Sequence, residues 1–134
     1  MIEVYTDGAY SSSRNQGGLG IVFIKDNKVI AKFSKTYKNT TNNRMELMAI
    51  ITALQSIKDE NEITIYSDSM YVIGTATQGW KRKKNLDLWE KYDAVIDSFK
   101  TVTFKHVKGH STNVFNNLCD EMAVAASQAY AGLD

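Results

Sequence analysis

The strongest constraint on this chain is a change in its apolar period. Across residues 1–37 three strand-like apolar runs follow one another closely: Ile2 to Asp7, then Ile21 to Ile24 behind Gly17-Gly18-Leu19-Gly20, then Val29 to Tyr37. The "KDNK" between the last two runs predicts a tight hairpin turn at Asp26-Asn27. From Asn43 the period lengthens, and Leu47, Ile50, Ile51, Leu54 and Ile57 recur at helical spacing. Strand and helix signals then alternate. A strand is predicted over Glu62–Tyr66 and a short helix over Ser69–Thr77. Leu88, Trp89, Tyr92, Val95, Ile96 and Phe99 mark an amphipathic helix, and a strand is predicted over Thr101–Val107. Leu118, Met122, Ala125, Ala126 and Ala129 mark a final helix.

The order is therefore βββαβααβα. Three closely spaced strands make an antiparallel meander, and helical crossovers allow the fourth and fifth strands to lie parallel to the first. The expected fold is α/β, a mixed five-stranded sheet flanked by helices. Residues 1–134 are expected to form a single domain. Net charge is +1, so a polyanionic partner must be held by a local patch rather than by the whole molecule. Cys119 is the sole cysteine, which excludes an internal disulfide and suits a reducing cytoplasmic compartment. No apolar run approaches the ~20 residues that span a bilayer, and Met1 runs straight into a strand pattern. Neither a membrane association nor a leader is expected, and a monomer is.

Two stretches echo each other. "EVYTDGAY" and "TIYSDSMY" each run along β-favouring residues to a hydroxyl residue, an aspartate and a small residue. If their strands are parallel neighbours in similar register, Asp7 and Asp68 sit side by side at the carboxyl edge of the sheet, where open α/β sheets bind ligands. Taken singly, each aspartate also reads as a turn residue or helix cap. Two more acids have similar bland explanations. Glu46 follows Asn43 at capping-box spacing, and Asp120 sits in the first turns of the last helix. One arrangement accounts for all four together: oxygen ligands gathered around two hard divalent cations, the apparatus of two-metal phosphoryl transfer.

The motifs "YTDGA", "TTNNRMELMA", "IYSDSMYV", "NLDLWEKYD" and "HVKGH…NNLCDEMA" occur in this order across nearly the whole chain. In order and spacing they resemble the type 1 ribonuclease H family. That resemblance implies the ribonuclease H-like fold and an endonuclease that cuts the RNA strand of an RNA–DNA hybrid, leaving 3′-hydroxyl and 5′-phosphate ends. It implies Mg²⁺ as cofactor, two ions per site during catalysis, with Mn²⁺ as a substitute. Asp7 would bridge both ions, Asp120 would complete the site that activates water, and Glu46 and Asp68 would hold the ion at the leaving oxygen. Glu46 would also read the ribose 2′-hydroxyl. His110, taken alone an exposed loop histidine, would assist proton transfer or product release.

The resemblance also implies a set of substrate-contacting residues: Gly8, Thr41, Asn42, Asn43, Arg44, Trp80, Lys81 and Asn116. The bland reading of Asn43 is helix capping, and of Arg44 surface charge. Three departures from the family pattern stand out. Only Lys81, Arg82, Lys83 and Lys84 lie between Trp80 and Asn85, where fuller members carry a helix and a basic loop. Met70 replaces a common glutamine, and Ser13 stands weakly for an asparagine. Other readings are a DNA nuclease of the same superfold, and a reverse-transcriptase or nucleic-acid-binding domain with weak activity of its own.

Overall fold

The structure, a computed structural model, describes residues 1–108 and 113–129. Its elements are β1 (Ile2–Ser11), β2 (Gln16–Lys25), β3 (Lys28–Lys38), α1 (Asn42–Ser56), β4 (Glu62–Ser67), α2 (Met70–Thr77), α3 (Leu86–Ile96), β5 (Thr101–His106) and α4 (Val114–Gln128). The sheet order is β3-β2-β1-β4-β5, with β1–β2 and β2–β3 antiparallel and β1–β4 and β4–β5 parallel. The expected element order and strand directions are those observed. Asp26 and Asn27 both take positive φ, 52° and 63°, as a two-residue turn with the handedness of the strand twist requires.

The first two strands run further than the apolar pattern predicts. β1 does not stop at Asp7; it continues to Ser11, paired with β2 alone. β2 begins at Gln16 and takes in the glycines that read as a lead-in. Those glycines have a packing cause. A Cβ on Gly20 would lie 2.5 Å from the Cys119 carbonyl oxygen of α4, so the missing side chain lets α4 settle onto the sheet.

Alternate residues of β1 feed opposite faces, as the strand period demands. Val4 packs with Leu19, Ile21, Phe23, Ala49 and Ala53 beneath α1. Tyr5 packs with Val22, Ile24 and Cys119 beneath α4. A larger core under α1 joins Ile63 and Ile65 of β4 to Leu47, Ile50, Leu54, Val72, Leu88, Trp89 and Tyr92. Thus α1, α2 and α3 cover one face and α4 the other. Strand β3 is a largely exposed edge.

Candidate active site

The parallel β1–β4 ladder pairs Ile2 with Ile63 and ends with Tyr5 against Tyr66. Asp7 and Asp68 both lie two residues past that last pair, so the register carries them to the same level where the two strands part. Their side chains share the parity of Tyr5 and Tyr66, whose rings stack at 4.4 Å. The side-by-side placement expected from the sequence is observed.

Glu46 arrives from α1. A Cβ on Gly8 would lie 2.6 Å from the Met45 carbonyl carbon and would also strike the Glu46 nitrogen, so only glycine lets the start of α1 press against β1. The Gly8 N–H then donates to Glu46 Oε1 and, at 2.9 Å, to Asp7 Oδ1. One backbone donor holds two of the acids. Carboxylate oxygens of Asp7, Glu46 and Asp68 lie within 4.8 Å of one another. Asp120 stands outside that triplet but lines the same cleft, of roughly 400 Å³, together with Gly8, Asn42, Asn43, Ser69, Met70 and Tyr71. Among the described residues, no lysine, arginine or histidine lines the cleft.

The bland explanations of these acids fail one by one. The cap of α1 is Thr41, whose Oγ1 accepts from Arg44 N, not Asn43 in a box with Glu46. The cap of α2 is Ser69, whose Oγ accepts from Val72 N, not Asp68. Asn113 caps α4, leaving Asp120 free of that duty. Asp7 lies within a continuing strand rather than a turn.

Their electrostatics follow from burial with no counter-charge among the described residues of the cleft. Asp7 is 4% and Glu46 5% exposed. Burial, with added repulsion from Asp68 and Asp120, pushes the Asp7 carboxyl up to about 8, while the contact with Glu46 pulls the other way. Glu46 is held well above the usual carboxylate range by burial first and then by Asp7 and Asp68. Burial next to these acids also raises the Cys119 thiol, which makes it an inert packing group. An all-oxygen, anionic donor set that is short of positive charge suits a hard divalent ion such as Mg²⁺ or Mn²⁺.

The remaining predicted residues divide. Asn42 and Asn43 line the cleft. Thr41 is exposed, with its hydroxyl engaged as a cap. Arg44 turns away to grip Asp87 at 3.0 and 2.8 Å and Asn85 at 3.3 Å, clamping α3 to α1. Asn116 is 2% exposed, one helical turn before Asp120, and its Oδ1 has no hydrogen-bond partner among the described residues. Trp80 and Lys81 lie exposed on the connection from α2 to α3. His110 falls outside the described residues. Tyr71 was not anticipated from the sequence. It lines the cleft, and its hydroxyl accepts from Asn85 Nδ2 at 3.1 Å and Trp89 Nε1 at 3.0 Å.

Residues 1–128 match the family model described as RNase H. The chain belongs to the ribonuclease H family. Among curated relatives, a Ribonuclease H of Rhodopirellula baltica is 38% identical, the alignment covering 96% of this chain and 92% of the relative. The Ribonuclease H of Trichodesmium erythraeum is 40% identical over 95% of this chain and 88% of its own length. The N-terminal RNase H domain of a Mycobacterium tuberculosis protein superposes with a TM-score of 0.83 at 23% identity, covering 94% of this chain and 92% of that one, a likeness of fold. The RNase H1 of Halobacterium salinarum gives 0.79 at 26% identity, covering 93% and 96%. Within this ribonuclease H-like fold, no helix among the described residues is long and apolar enough to cross a membrane.

Proposed function

We propose that this ribonuclease H-family chain, acting as one catalytic domain, hydrolyses the RNA strand of RNA–DNA hybrids with Mg²⁺, leaving 3′-hydroxyl and 5′-phosphate ends. The observation that carries this reading is the carboxylate cluster at the parting of β1 and β4, with Asp7 and Glu46 buried and no cation among its described lining residues. Asp7, Glu46, Asp68 and Asp120 are the metal ligands. When bound, two divalent ions supply Lewis-acid charge and an activated water, so little covalent chemistry falls to the side chains.

The chain's own residues hold and orient. Gly8 N–H fixes the Glu46 and Asp7 carboxylates from the backbone. Asn42 and Asn43, on the rim of the cleft, offer amide donors and acceptors to the minor-groove edges of a hybrid. Tyr71, fixed by Asn85 and Trp89, ties the wall of the cleft to α3. His110 acts in proton transfer or product release, so His110→Ala should slow turnover without abolishing it.

Cleavage of a labelled hybrid with and without Mg²⁺ tests the reading, with all-DNA duplex as control. Metal-dependent cutting confined to ribonucleotides is expected, and deoxynucleotides inserted in the RNA strand should protect their positions. Equal cutting of duplex DNA would instead favour a DNA nuclease on this fold.

A further inference from the structure

The connection from α2 to α3 reads in sequence as a shortened, solvated basic run. In the structure it is anchored at three points, the first through its backbone and the others through side chains. Gly79 takes a φ of +69°, which turns the chain back over α2. The Gln78 N–H and the Trp80 N–H both donate to the Gly74 carbonyl, at 2.9 and 3.4 Å. The Trp80 indole then lies flat on Gly74: a Cβ there would come 2.5 Å from both Cδ2 and Cζ3 of the ring. Trp80 is 46% exposed, so the ring keeps an open face. The second anchor is Arg82, whose guanidinium lies 4.7 Å from the centre of the Trp89 ring and bonds Asp93 Oδ2 at 2.7 Å. The third is Asn85, which bonds Tyr71 and Arg44. All of residues 80–84 are exposed, but Trp80, Arg82 and Asn85 make these docking contacts, which leaves Lys81, Lys83 and Lys84 as the outward cations.

We propose that Gly74 is a positioning residue for nucleic-acid binding: its missing side chain seats Trp80 as a stacking platform beside three outward lysines. The inference rests on the hybrid reading above and adds how a short connection grips its substrate. An aromatic ring backed on one face stacks on a sugar or base without preference for sequence. Ammonium groups on a fixed backbone meet phosphates with less ordering cost than those on a mobile loop. Arg82, held by Asp93 and Trp89, belongs to the scaffold rather than to the phosphate contacts.

The test uses the full chain as Gly74→Ala, Trp80→Ala and the double variant. The readouts are anisotropy of a labelled hybrid, steady-state KM and kcat with Mg²⁺, and Trp emission. Alanine is the better helix former, so α2 itself should not suffer. Gly74→Ala should expose Trp80, seen as a red shift and easier quenching against the buried Trp89, and raise KM about 5- to 10-fold with kcat nearly unchanged. On the Trp80→Ala background the same substitution should add nothing. If Gly74→Ala fails to fold, Gly79→Ala reaches the same ring by straining only the turn, since no atom lies within 4 Å of a Cβ there; it should raise KM in the same direction. An unchanged KM, or a penalty that persists without Trp80, overturns the proposal while leaving hybrid cleavage standing. A parent chain that neither binds nor cuts hybrid overturns both.

Discussion

The sheet carries acids at both ends, and the two groups could hardly differ more. At the end where β1 and β4 part, Asp7 and Glu46 are almost wholly buried, Asp68 and Asp120 adjoin them, and among the described residues no cation lines the cleft. At the opposite end Asp59, Glu60 and Glu62 ring a shallow cleft together with Lys100, and Glu60 pairs with Lys25 at 3.3 Å. The second group is ordinary surface: charges in water with cations at hand. The first works against folding, because burial makes these carboxyls keep protons that the unfolded chain gives up, with no structural return. That contrast, rather than the number of acids, supports placing the proposed metal site at the end where β1 and β4 part.

The sharpest way to break the contrast is to neutralise one acid at each end. Asp7→Asn should lower Mg²⁺-dependent cleavage by about 10³-fold or more, and at pH 8 it should raise the melting temperature of the metal-free protein by about 3–6 °C. Glu60→Gln should change neither. Retained turnover in Asp7→Asn would overturn the bridging role that the family resemblance implies for it.

The pH dependence of metal-free stability sharpens the same comparison. An unfolded aspartate ionises near 3.8, and Asp7 in the fold near 8. Between those values the folded chain holds a proton that the unfolded chain has lost, so stability should fall as pH rises through that window. Glu46, shifted in the same direction, deepens the fall. Metal must displace these protons, so the melting-temperature gain from Mg²⁺ should be larger at pH 8 than at pH 6. A gain that is flat with pH would show that the buried acids are not the ligands.

A smaller effect separates the cations of the connection. Replacing Lys81, Lys83 and Lys84 together by glutamine should weaken hybrid binding and flatten its log–log salt slope by about 1–3, since each phosphate contact contributes about 0.9. Arg82→Gln should leave that slope alone and instead lower thermal stability, because its partners are Asp93, Trp89 and Tyr92. If the two variants behave alike, the division between scaffold and phosphate contact is wrong.

Local signals in the sequence were the legible ones. The Asp26-Asn27 turn, the onset of the helical period near Asn43 and the matched approach of two strands to Asp7 and Asp68 all depend on neighbours in the chain. The end of β1 did not show, because a hydroxyl residue, an acid and a glycine resemble a stop. The strand runs on since β2 continues to pair with it, and Gly8 is there to admit α1. The cap of α1 fell on Thr41 rather than Asn43, a choice fixed by where α1 meets the sheet. Arg44 looked equally like surface charge and substrate contact; its partners, Asn85 and Asp87, lie a helix and a strand further along the chain. Tyr71 and Gly74 carried no sequence signal at all, since their roles depend on side chains brought back by the turn at Gly79 and by α3.

The most direct measurement is calorimetric titration of Mn²⁺ into the metal-free protein at pH 7, repeated in buffers of different ionisation enthalpy. Binding should release protons from the buried carboxyls, and Asp7→Asn should abolish both the tight binding and that release while Glu60→Gln keeps them. Binding without proton release, or undiminished in Asp7→Asn, would contradict a metal site built from these four acids.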